Sequence, residues 1–217
     1  MTEHDIAVMV FAKAPEPGAV KTRLVPVLGA EGAAALHAKL VKHTLDTARA
    51  ASLGQAELHG APDASDPFFR FCAGHYGVSV EAQAAGDLGA RMLRAFDKAF
   101  ATHTAALLVG TDCPALGARH LRQAAKALRD GADAVFVPCA DGGYALIGLR
   151  RADAVLFDGI AWGSDKVMAE TRARLERLGW TWCELETLWD VDRPEDYARL
   201  VASRLLDARR GEMMNSE

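Results

Sequence analysis

Residues 6–24 read IAVMVFAKAPEPGAVKTRL, an apolar run followed by a loop with two prolines, one glycine and three basic side chains. The run Ile6–Phe11 holds β-branched and aromatic residues without interruption, which is typical of a central strand buried on both faces. Between Ala30 and Ala51 the apolar positions recur on one face of a helix. A buried strand, a loop and a long helix in this order indicate the first unit of an α/β fold.

The remainder of the chain continues this alternation. Further strands are predicted at 55–59, 78–83, 105–109, 134–137, 145–149 and 180–188, and further helices at 66–75, 90–101, 119–129, 165–178 and 194–206. We therefore predict a three-layer α/β/α sandwich around a mostly parallel sheet. The sequence has no repeat or linker-like change of composition, so we predict one domain over residues 1–208. The polar tail 209–217 is predicted to be disordered.

Composition and motifs exclude several classes of protein. Lys and Arg total 25 and Asp and Glu total 29, a net charge of −4, which argues against a nucleic-acid partner. The four cysteines form no C-x-x-C pair, and neither H-E-x-x-H nor G-x-S-x-G occurs, so zinc sites and serine hydrolase chemistry are not expected. Without a secretory signal or a run of about 20 apolar residues, we expect a cytoplasmic protein with no membrane span. The oligomeric state is not predicted.

The loop after the first strand is a candidate for binding phosphates. Ligands of open α/β sheets bind outside the carboxyl ends of the strands. Backbone N–H groups at a helix start, together with Lys and Arg side chains, suit a phosphate. The loop matches neither the Walker A pattern nor G-x-G-x-x-G, and a solvated basic loop is the alternative. Its candidates for contact with phosphate or nucleotide are Ala12, Lys13, Gly18, Lys21 and Arg23.

Acidic residues follow two other predicted strands. Asp112 comes soon after the apolar run 105–109, a position that suits a ligand of Mg²⁺ or Mn²⁺. The alternative is an aspartate that starts a turn before Pro114. Asp190 and Asp192 precede the last helix. A helix start explains the acids that follow them but not Asp190, so either aspartate is a candidate second metal ligand.

Three further segments have a structural and a functional interpretation. The sequence DGGY at residues 141–144 allows close approach of the backbone to a ligand, or simply a hairpin turn. The loop beginning at residue 86 contacts a ligand or caps a helix. An aromatic ring at 162 stacks on a sugar or base, or lies in the core. The candidates for ligand contact here are Gly86, Asp87, Asp141, Gly142, Gly143, Tyr144 and Trp162.

Five motifs together resemble a known bacterial family. They are FAKAPEPGAVKTRL (11–24), GDLGARM (86–92), GTDCPAL (110–116), DGGYALIGL (141–149) and DVDRPEDY (190–197). In this order they resemble the glycosyltransferases assigned to arsenosugar biosynthesis, also called selenodomain-associated transferases. The resemblance implies the GT-A type of fold found in nucleotide-diphospho-sugar transferases. Molybdenum-cofactor and 2-phospho-lactate guanylyltransferases are related to this family.

The resemblance also implies roles for individual residues. Lys21 and Arg23 hold the phosphates of a nucleotide, and Asp112 binds Mg²⁺ or Mn²⁺. Asp192, or in second place Asp190, supplies another metal ligand. Residues 141–143 face the transferred sugar or the acceptor. Lys21, Arg23, Asp112 and Asp141 are therefore the expected catalytic residues.

The activity implied first is transfer of a sugar from a nucleotide-sugar to a small-molecule acceptor, with Asp141 orienting the acceptor or acting as base. GT-A enzymes usually carry D-x-D where this chain has Thr111-Asp112-Cys113. The alternative therefore stays open: joining a nucleoside triphosphate to a phosphorylated small molecule with release of pyrophosphate. A third class, a protein that binds a nucleotide without catalysis, needs fewer acids than this sequence retains.

Overall fold

The computed structural model describes residues 6–207, and the predicted tail 209–217 lies outside them. The strands are β1 (Ile6–Lys13), β2 (Ala56–Ala61), β3 (Ser79–Ala82), β4 (Ala105–Val109), β5 (Ala134–Pro138), β6 (Tyr144–Leu149) and β7 (Trp182–Glu184). The helices are α1 (Val25–Ala51), α2 (Pro67–Tyr76), α3 (Leu88–Ala99), α4 (Ala118–Arg129), α5 (Val167–Leu178) and α6 (Pro194–Ser203). Short 3₁₀ helices lie at Thr22–Leu24 and Ala154–Leu156.

The seven strands form one sheet in the order β3-β2-β1-β4-β6-β5-β7. Each neighbouring pair is parallel except the two that involve β6, which runs antiparallel to β4 and to β5. The predicted α/β class with a mostly parallel sheet is confirmed. The chain builds outward from β1 through β2 and β3, then crosses to β4 on the other side. This change of direction makes a switch point between β1 and β4, where such sheets bind ligands.

Helices cover both faces of the sheet, as the three-layer prediction requires. One core joins the sheet to α1, α2 and α4 through residues such as Leu45, Phe69 and Leu121. The other core joins the opposite face to α3 and α5 through Phe96 and Leu175. Strands β4 and β5 are buried along their whole length, which explains their continuous apolar sequence. Helix α6 packs against the beginning of α1 in a third, smaller cluster.

Most element boundaries differ from the prediction by one to three residues, and three differences have an identifiable structural basis. Helix α1 begins at Val25, but Gly29 has non-helical angles (φ 70°, ψ 167°), so the regular helix begins near the predicted Ala30. Strand β7 has three residues instead of nine, and the chain rejoins the sheet only at an isolated bridge between Cys139 and Leu188. Helix α6 ends at Ser203 because Arg204 adopts a left-handed conformation (φ 52°).

By length and composition alone, the helical segment Thr22–Ala51 is apolar enough to cross a membrane. The expectation that the chain has no membrane span stays a prediction. Leu40, Val41 and Leu45 of this segment are buried in the protein cores. Packing against the sheet and α6 thus explains part of the apolar composition of α1.

Candidate functional site

A charged cavity of about 580 Å³ opens at the switch point between β1 and β4. Its walls come from the ends of β1 and β4, the first loop, helix α1 and the segment before α6. Several predicted residues meet here although they lie far apart in the sequence. The polar lining residues are Lys13, Lys21, Thr22, Arg23, His37, Gln83, Arg91, Thr111, Asp112 and Asp192, and Ala12 lies among the apolar ones.

Lys21 connects three segments at the floor of this cavity. It adopts a left-handed conformation (φ 48°) at the end of the first loop, and its side chain is only 4% exposed. The ammonium group donates to the carbonyl oxygen of Val191 at 2.6 Å and lies 2.6 Å from Oδ1 of Asp112. A lysine is buried to this extent only when its charge is paired. The paired ammonium therefore fixes the first loop against the end of β4 and the segment before α6.

A second ion pair, between Arg23 and Asp192, joins two residues of the cavity lining. The Asp112 side chain is 54% exposed, so it remains accessible to a ligand. Each of these basic residues thus contacts an acid that the sequence assigns to a metal. The predicted cations and predicted metal ligands are adjacent in space and neutralise one another.

Asp190 lies beside this arrangement in a more buried position. Burial, together with the charges of Asp141, Asp112 and Asp196, raises the pKa of its carboxyl group to about 6. Several carboxylates therefore face one another across a small region. Such crowding favours a bound cation, since an opposite charge stabilises the ionised form of each acid.

The donor chemistry fits Mg²⁺ or Mn²⁺ bound together with a phosphate ligand. Among residues 6–207, no group of three or more His, Cys, Asp or Glu side chains is arranged to hold a metal ion. Mg²⁺ is usually bound by one or two protein carboxylates plus phosphate oxygens of the substrate, without a cage made by the protein alone. Asp112 and Asp192 line one cavity and are suited to that mode, with Asp190 nearby.

The loop that begins at residue 86 caps the N-terminus of α3, which was one of its two interpretations. Asp87 accepts a hydrogen bond from the Ala90 N–H at 2.9 Å and forms the N-cap of α3. The Gly86 carbonyl accepts from Nε of Arg91 at 2.8 Å. The charged cavity is lined by Arg91 but not by Gly86, Asp87 or Gly18. A nucleotide contact by these three residues stays a prediction.

Residues 141–144 form the hairpin turn between β5 and β6. Asp141 Oδ1 accepts from the Gly143 N–H at 2.9 Å. Gly142 has φ 91°, and a Cβ atom there would lie 2.1 Å from the carbonyl oxygen of Asp165. The ring of Tyr144 packs edge-on against Phe136, and burial raises the pKa of its phenol. The turn and its packing thus explain DGGY, and a contact of these residues with a sugar or acceptor stays a prediction.

Trp162 packs against the first turn of α3. A Cβ atom at Gly89 would lie 2.7 Å from the indole Nε1, so the ring needs a glycine at that position. The Nε1 atom is buried and finds no hydrogen-bond partner within residues 6–207. The ring contacts the core that contains Phe157. This placement corresponds to the core interpretation of Trp162.

Two polar residues of the cavity lining lie outside all of the motifs quoted from the sequence. His37 on α1 contacts the carbonyl oxygen of Lys13 through Nε2 at 3.0 Å, and burial lowers its pKa. Gln83 follows β3 and donates from Nε2 to the carbonyls of Ala12 and His59 at 3.2 and 2.9 Å. Gln83 lies just past the end of a strand, and the same position made Asp112 a candidate ligand-binding residue. His37 gave no signal because it lies among apolar residues on the buried face of a helix.

Comparisons with known proteins place this geometry in context. Residues 44–164 match the family model described as "Uncharacterized protein conserved in bacteria (DUF2064)". No curated protein matches the sequence significantly. A crystal structure of a candidate nucleotide-diphospho-sugar transferase from Desulfovibrio desulfuricans G20 is 31% identical, with a TM-score of 0.83, over 100% of this chain and 92% of that one.

Two more distant structures share the fold. CMP:2-keto-3-deoxy-manno-octonic acid synthetase complexed with CTP is 11% identical, with a TM-score of 0.61, over 94% of this chain and 99% of that one. The manganese complex of Rv0371c from Mycobacterium tuberculosis H37Rv is 21% identical, with a TM-score of 0.55, over 92% and 99% of the two chains. The fold is that of nucleotide-diphospho-sugar transferases, and the chain belongs to the bacterial family DUF2064.

Proposed function

We propose that the protein is a metal-dependent transferase that binds a nucleotide-activated donor in the charged cavity. The observation that carries this proposal is that the cavity contains two ion pairs, Lys21 with Asp112 and Arg23 with Asp192. Each pair combines a group suited to phosphate with a group suited to a divalent cation.

A metal-bound diphosphate matches these pairs in charge. The metal would bind the carboxylates of Asp112 and Asp192, with Asp190 as the alternative second ligand, and would act as a Lewis acid toward the diphosphate oxygens. The ammonium of Lys21 and the guanidinium of Arg23 would then contact phosphate oxygens. Negative charge grows on a departing diphosphate, and fixed cations stabilise it as it forms.

Glycosyl transfer is the activity we propose first. The supporting observations are the 31% identical candidate nucleotide-diphospho-sugar transferase and the motif resemblance to the arsenosugar glycosyltransferases. In this reaction the acceptor attacks the anomeric carbon of the sugar, and the nucleoside diphosphate leaves. Asp141, beside Asp190 at the edge of the sheet, is proposed to orient the acceptor or to take its proton.

Nucleotidyl transfer is the second candidate, and the positive charge of the cavity favours it. Lys13, Lys21, Arg23 and Arg91 all line the cavity, which is more positive charge than a diphosphate requires. A nucleoside triphosphate would use this surplus. A phosphorylated small molecule then attacks the α-phosphate, and pyrophosphate leaves.

Two further parts of the proposal concern the whole chain. We propose that residues 1–208 form a single domain, since one sheet includes every strand of the described residues. We also propose a cytoplasmic location. Cys72, Cys113, Cys139 and Cys183 are all free thiols, as is usual in a reducing compartment.

A product assay by mass spectrometry tests the proposal. The purified protein is given Mg²⁺ or Mn²⁺, nucleotide-sugars, nucleoside triphosphates and a pool of small metabolites. A released nucleoside diphosphate with a new glycosylated mass establishes glycosyl transfer, whereas pyrophosphate with a new nucleotide-linked mass establishes nucleotidyl transfer. The reaction should stop in EDTA. Turnover that persists in EDTA, or the absence of any metal-dependent nucleotide binding, contradicts the proposal.

A further inference from the structure

His37 on α1 joins the two ends of the first loop. Strand β1 ends at Lys13, and α1 follows the loop that carries Lys21 and Arg23. The Nε2 atom of His37 lies 3.0 Å from the carbonyl oxygen of Lys13. Both residues line the charged cavity. This hydrogen bond therefore closes the loop at its base, between the strand that precedes it and the helix that follows it.

The backbone geometry explains why the Lys13 carbonyl takes its donor from a side chain. The Ala14 N–H donates to the carbonyl of Ala61 on β2 at 2.7 Å. In a trans peptide the carbonyl of the preceding residue points the opposite way, so the Lys13 carbonyl points away from β2 and toward the β4 side. Pairing between β1 and β4 ends at Val10 and Val109. Strand β4 therefore supplies no donor to this carbonyl, and the imidazole does.

The hydrogen bond also determines the tautomer of His37. A carbonyl oxygen only accepts, so Nε2 carries the proton, and Nδ1 of the neutral ring is an acceptor. Burial lowers the pKa of the ring, which keeps it neutral at pH 7. The Nδ1 atom is buried and finds no partner within the described residues 6–207. A buried acceptor without a donor is destabilising, and an apolar side chain would not have this cost. Packing alone thus does not explain a histidine here, whereas the Nε2–H donor does.

We propose that His37 is a positioning residue for the phosphates of the bound nucleotide, a role that rests on the proposed function. It acts through Lys13 in two ways. First, the hydrogen bond holds the base of the loop that brings Lys21 and Arg23 to the cavity. Second, it occupies a carbonyl oxygen beside the cavity. Without a donor, the partial negative charge of that oxygen would repel the phosphate oxygens.

Calorimetric titration of the full-length protein with UDP and with GDP, each with saturating Mn²⁺, tests this role. His37→Leu removes the donor and keeps a buried apolar side chain. We expect both nucleotides to bind at least about tenfold more weakly, because the loop carbonyl loses its hydrogen bond. His37→Gln places an amide N–H near the position of Nε2 and should keep both affinities within about threefold of wild type. A histidine that only fills space would not be replaced in this selective way.

The matched control is His120→Leu. His120 is also buried on a helix and also bonds to the backbone, since its Nδ1 accepts from the Gly117 N–H at 2.9 Å. It is not among the residues that line the charged cavity, so its loss should leave both affinities unchanged. Urea denaturation establishes that each variant is folded under the conditions of the titration.

Three results overturn the role of His37 while nucleotide binding stands. They are unchanged affinity in His37→Leu, a His37→Gln variant as weak as His37→Leu, and an equal loss in His120→Leu. If the wild-type protein binds neither nucleotide, the proposed function itself fails.

A spectroscopic measurement tests the same role without a variant. Long-range proton–nitrogen correlation spectra of the wild-type protein distinguish the two neutral tautomers of an imidazole. His37 should carry its proton on Nε2 and have a bare Nδ1 at neutral pH. A proton on Nδ1 with a bare Nε2 excludes the bond to the Lys13 carbonyl and overturns the proposal, even if His37→Leu does not fold.

Discussion

The two halves of the sheet use their carboxyl edge differently. In the parallel half, β3-β2-β1-β4, the loops after β1 and β4 carry Lys21, Arg23 and Asp112 into one cavity. In the half that contains β6, the corresponding connection is a tight hairpin whose residues pack against Asp165. A parallel strand leads into a long crossover, whose loop is free to carry ligand-binding groups. In a tight hairpin, the geometry of the turn determines which residues fit, so fewer positions are free to carry ligand-binding groups.

The acids of the two halves also differ in their partners. Asp112, at the end of β4, is paired with the buried ammonium of Lys21. Asp190, which follows β7, lies near further acids, and its pKa is raised to about 6. The first acid is neutralised by the protein, whereas the second is stabilised by protonation or by an added cation. The expected metal site thus lies where the two halves meet.

The largest expected effect is that of Asp112→Asn. Asparagine keeps the shape of the side chain and still accepts a hydrogen bond from Lys21, but it removes the charge that a metal needs. We expect turnover to fall by roughly 10²- to 10³-fold, and we expect the unfolding free energy to fall as well, because the buried ammonium of Lys21 loses its charged partner. Steady-state kinetics with the product assay measures this. Asp97→Asn, at an exposed position on α3, is the control, and an Asp112 variant with full activity would contradict the assignment.

Substitution of the two hairpin glycines by alanine should lower the unfolding free energy by different amounts. Gly142→Ala places a Cβ atom 2.1 Å from the Asp165 carbonyl oxygen at a positive φ, and we expect a loss of at least about 2 kcal/mol of unfolding free energy. At Gly143 the nearest atom, Asp141 Oδ1, is 3.3 Å away, so Gly143→Ala should cost under about 1 kcal/mol. Urea denaturation compares the two. Equal losses would show that close packing does not explain the first glycine.

Acid should weaken the parallel half through two buried histidines. Burial lowers the pKa of His37 and of His59 from the ordinary 6.5. The unfolded chain therefore binds more protons below pH 6.5, and the unfolding free energy falls as the pH falls through that value. Each histidine contributes a slope of up to about 1.4 kcal/mol per pH unit.

Denaturation at pH 7.5 and pH 5.5 measures this slope. His59→Gln should reduce it, whereas His75→Gln, at an exposed position, should leave it unchanged. A slope that is the same in wild type and His59→Gln would remove His59 from the account.

The smallest effect on stability is expected for the ion pair between Arg172 and Glu184, which joins α5 to β7. Arg172 on α5 donates two hydrogen bonds of 2.7 Å to the carboxylate of Glu184 and holds the pKa of that carboxyl below its ordinary value. Because both side chains are partly exposed to solvent, Arg172→Met should cost under about 1 kcal/mol at neutral pH and leave turnover unchanged. Thermal unfolding measures the loss. A cost of several kcal/mol would show that β7 depends on this pair.

The sequence predicts most of the fold because strands with uninterrupted apolar residues, such as β1 and β4, are distinctive. It also predicts which charged residues meet at the switch point, since Lys21 and Asp112 follow those strands. It does not show that Lys21 contacts Asp112, because an ion pair depends on distances across the sheet. Turn glycines and a lone tryptophan are ambiguous in a sequence, and at residues 142 and 162 the structure shows packing.

Titration of Mn²⁺ followed by electron paramagnetic resonance tests the central claim most directly. The claim is that Asp112, with Asp192 or Asp190, binds a divalent cation together with a nucleoside diphosphate. The protein alone does not supply enough ligands to hold the cation tightly. The account predicts weak binding of Mn²⁺ alone, binding at least about tenfold tighter with GDP or UDP present, and loss of that enhancement in Asp112→Asn. Tight binding of Mn²⁺ without a nucleotide, or an enhancement that survives Asp112→Asn, would contradict it.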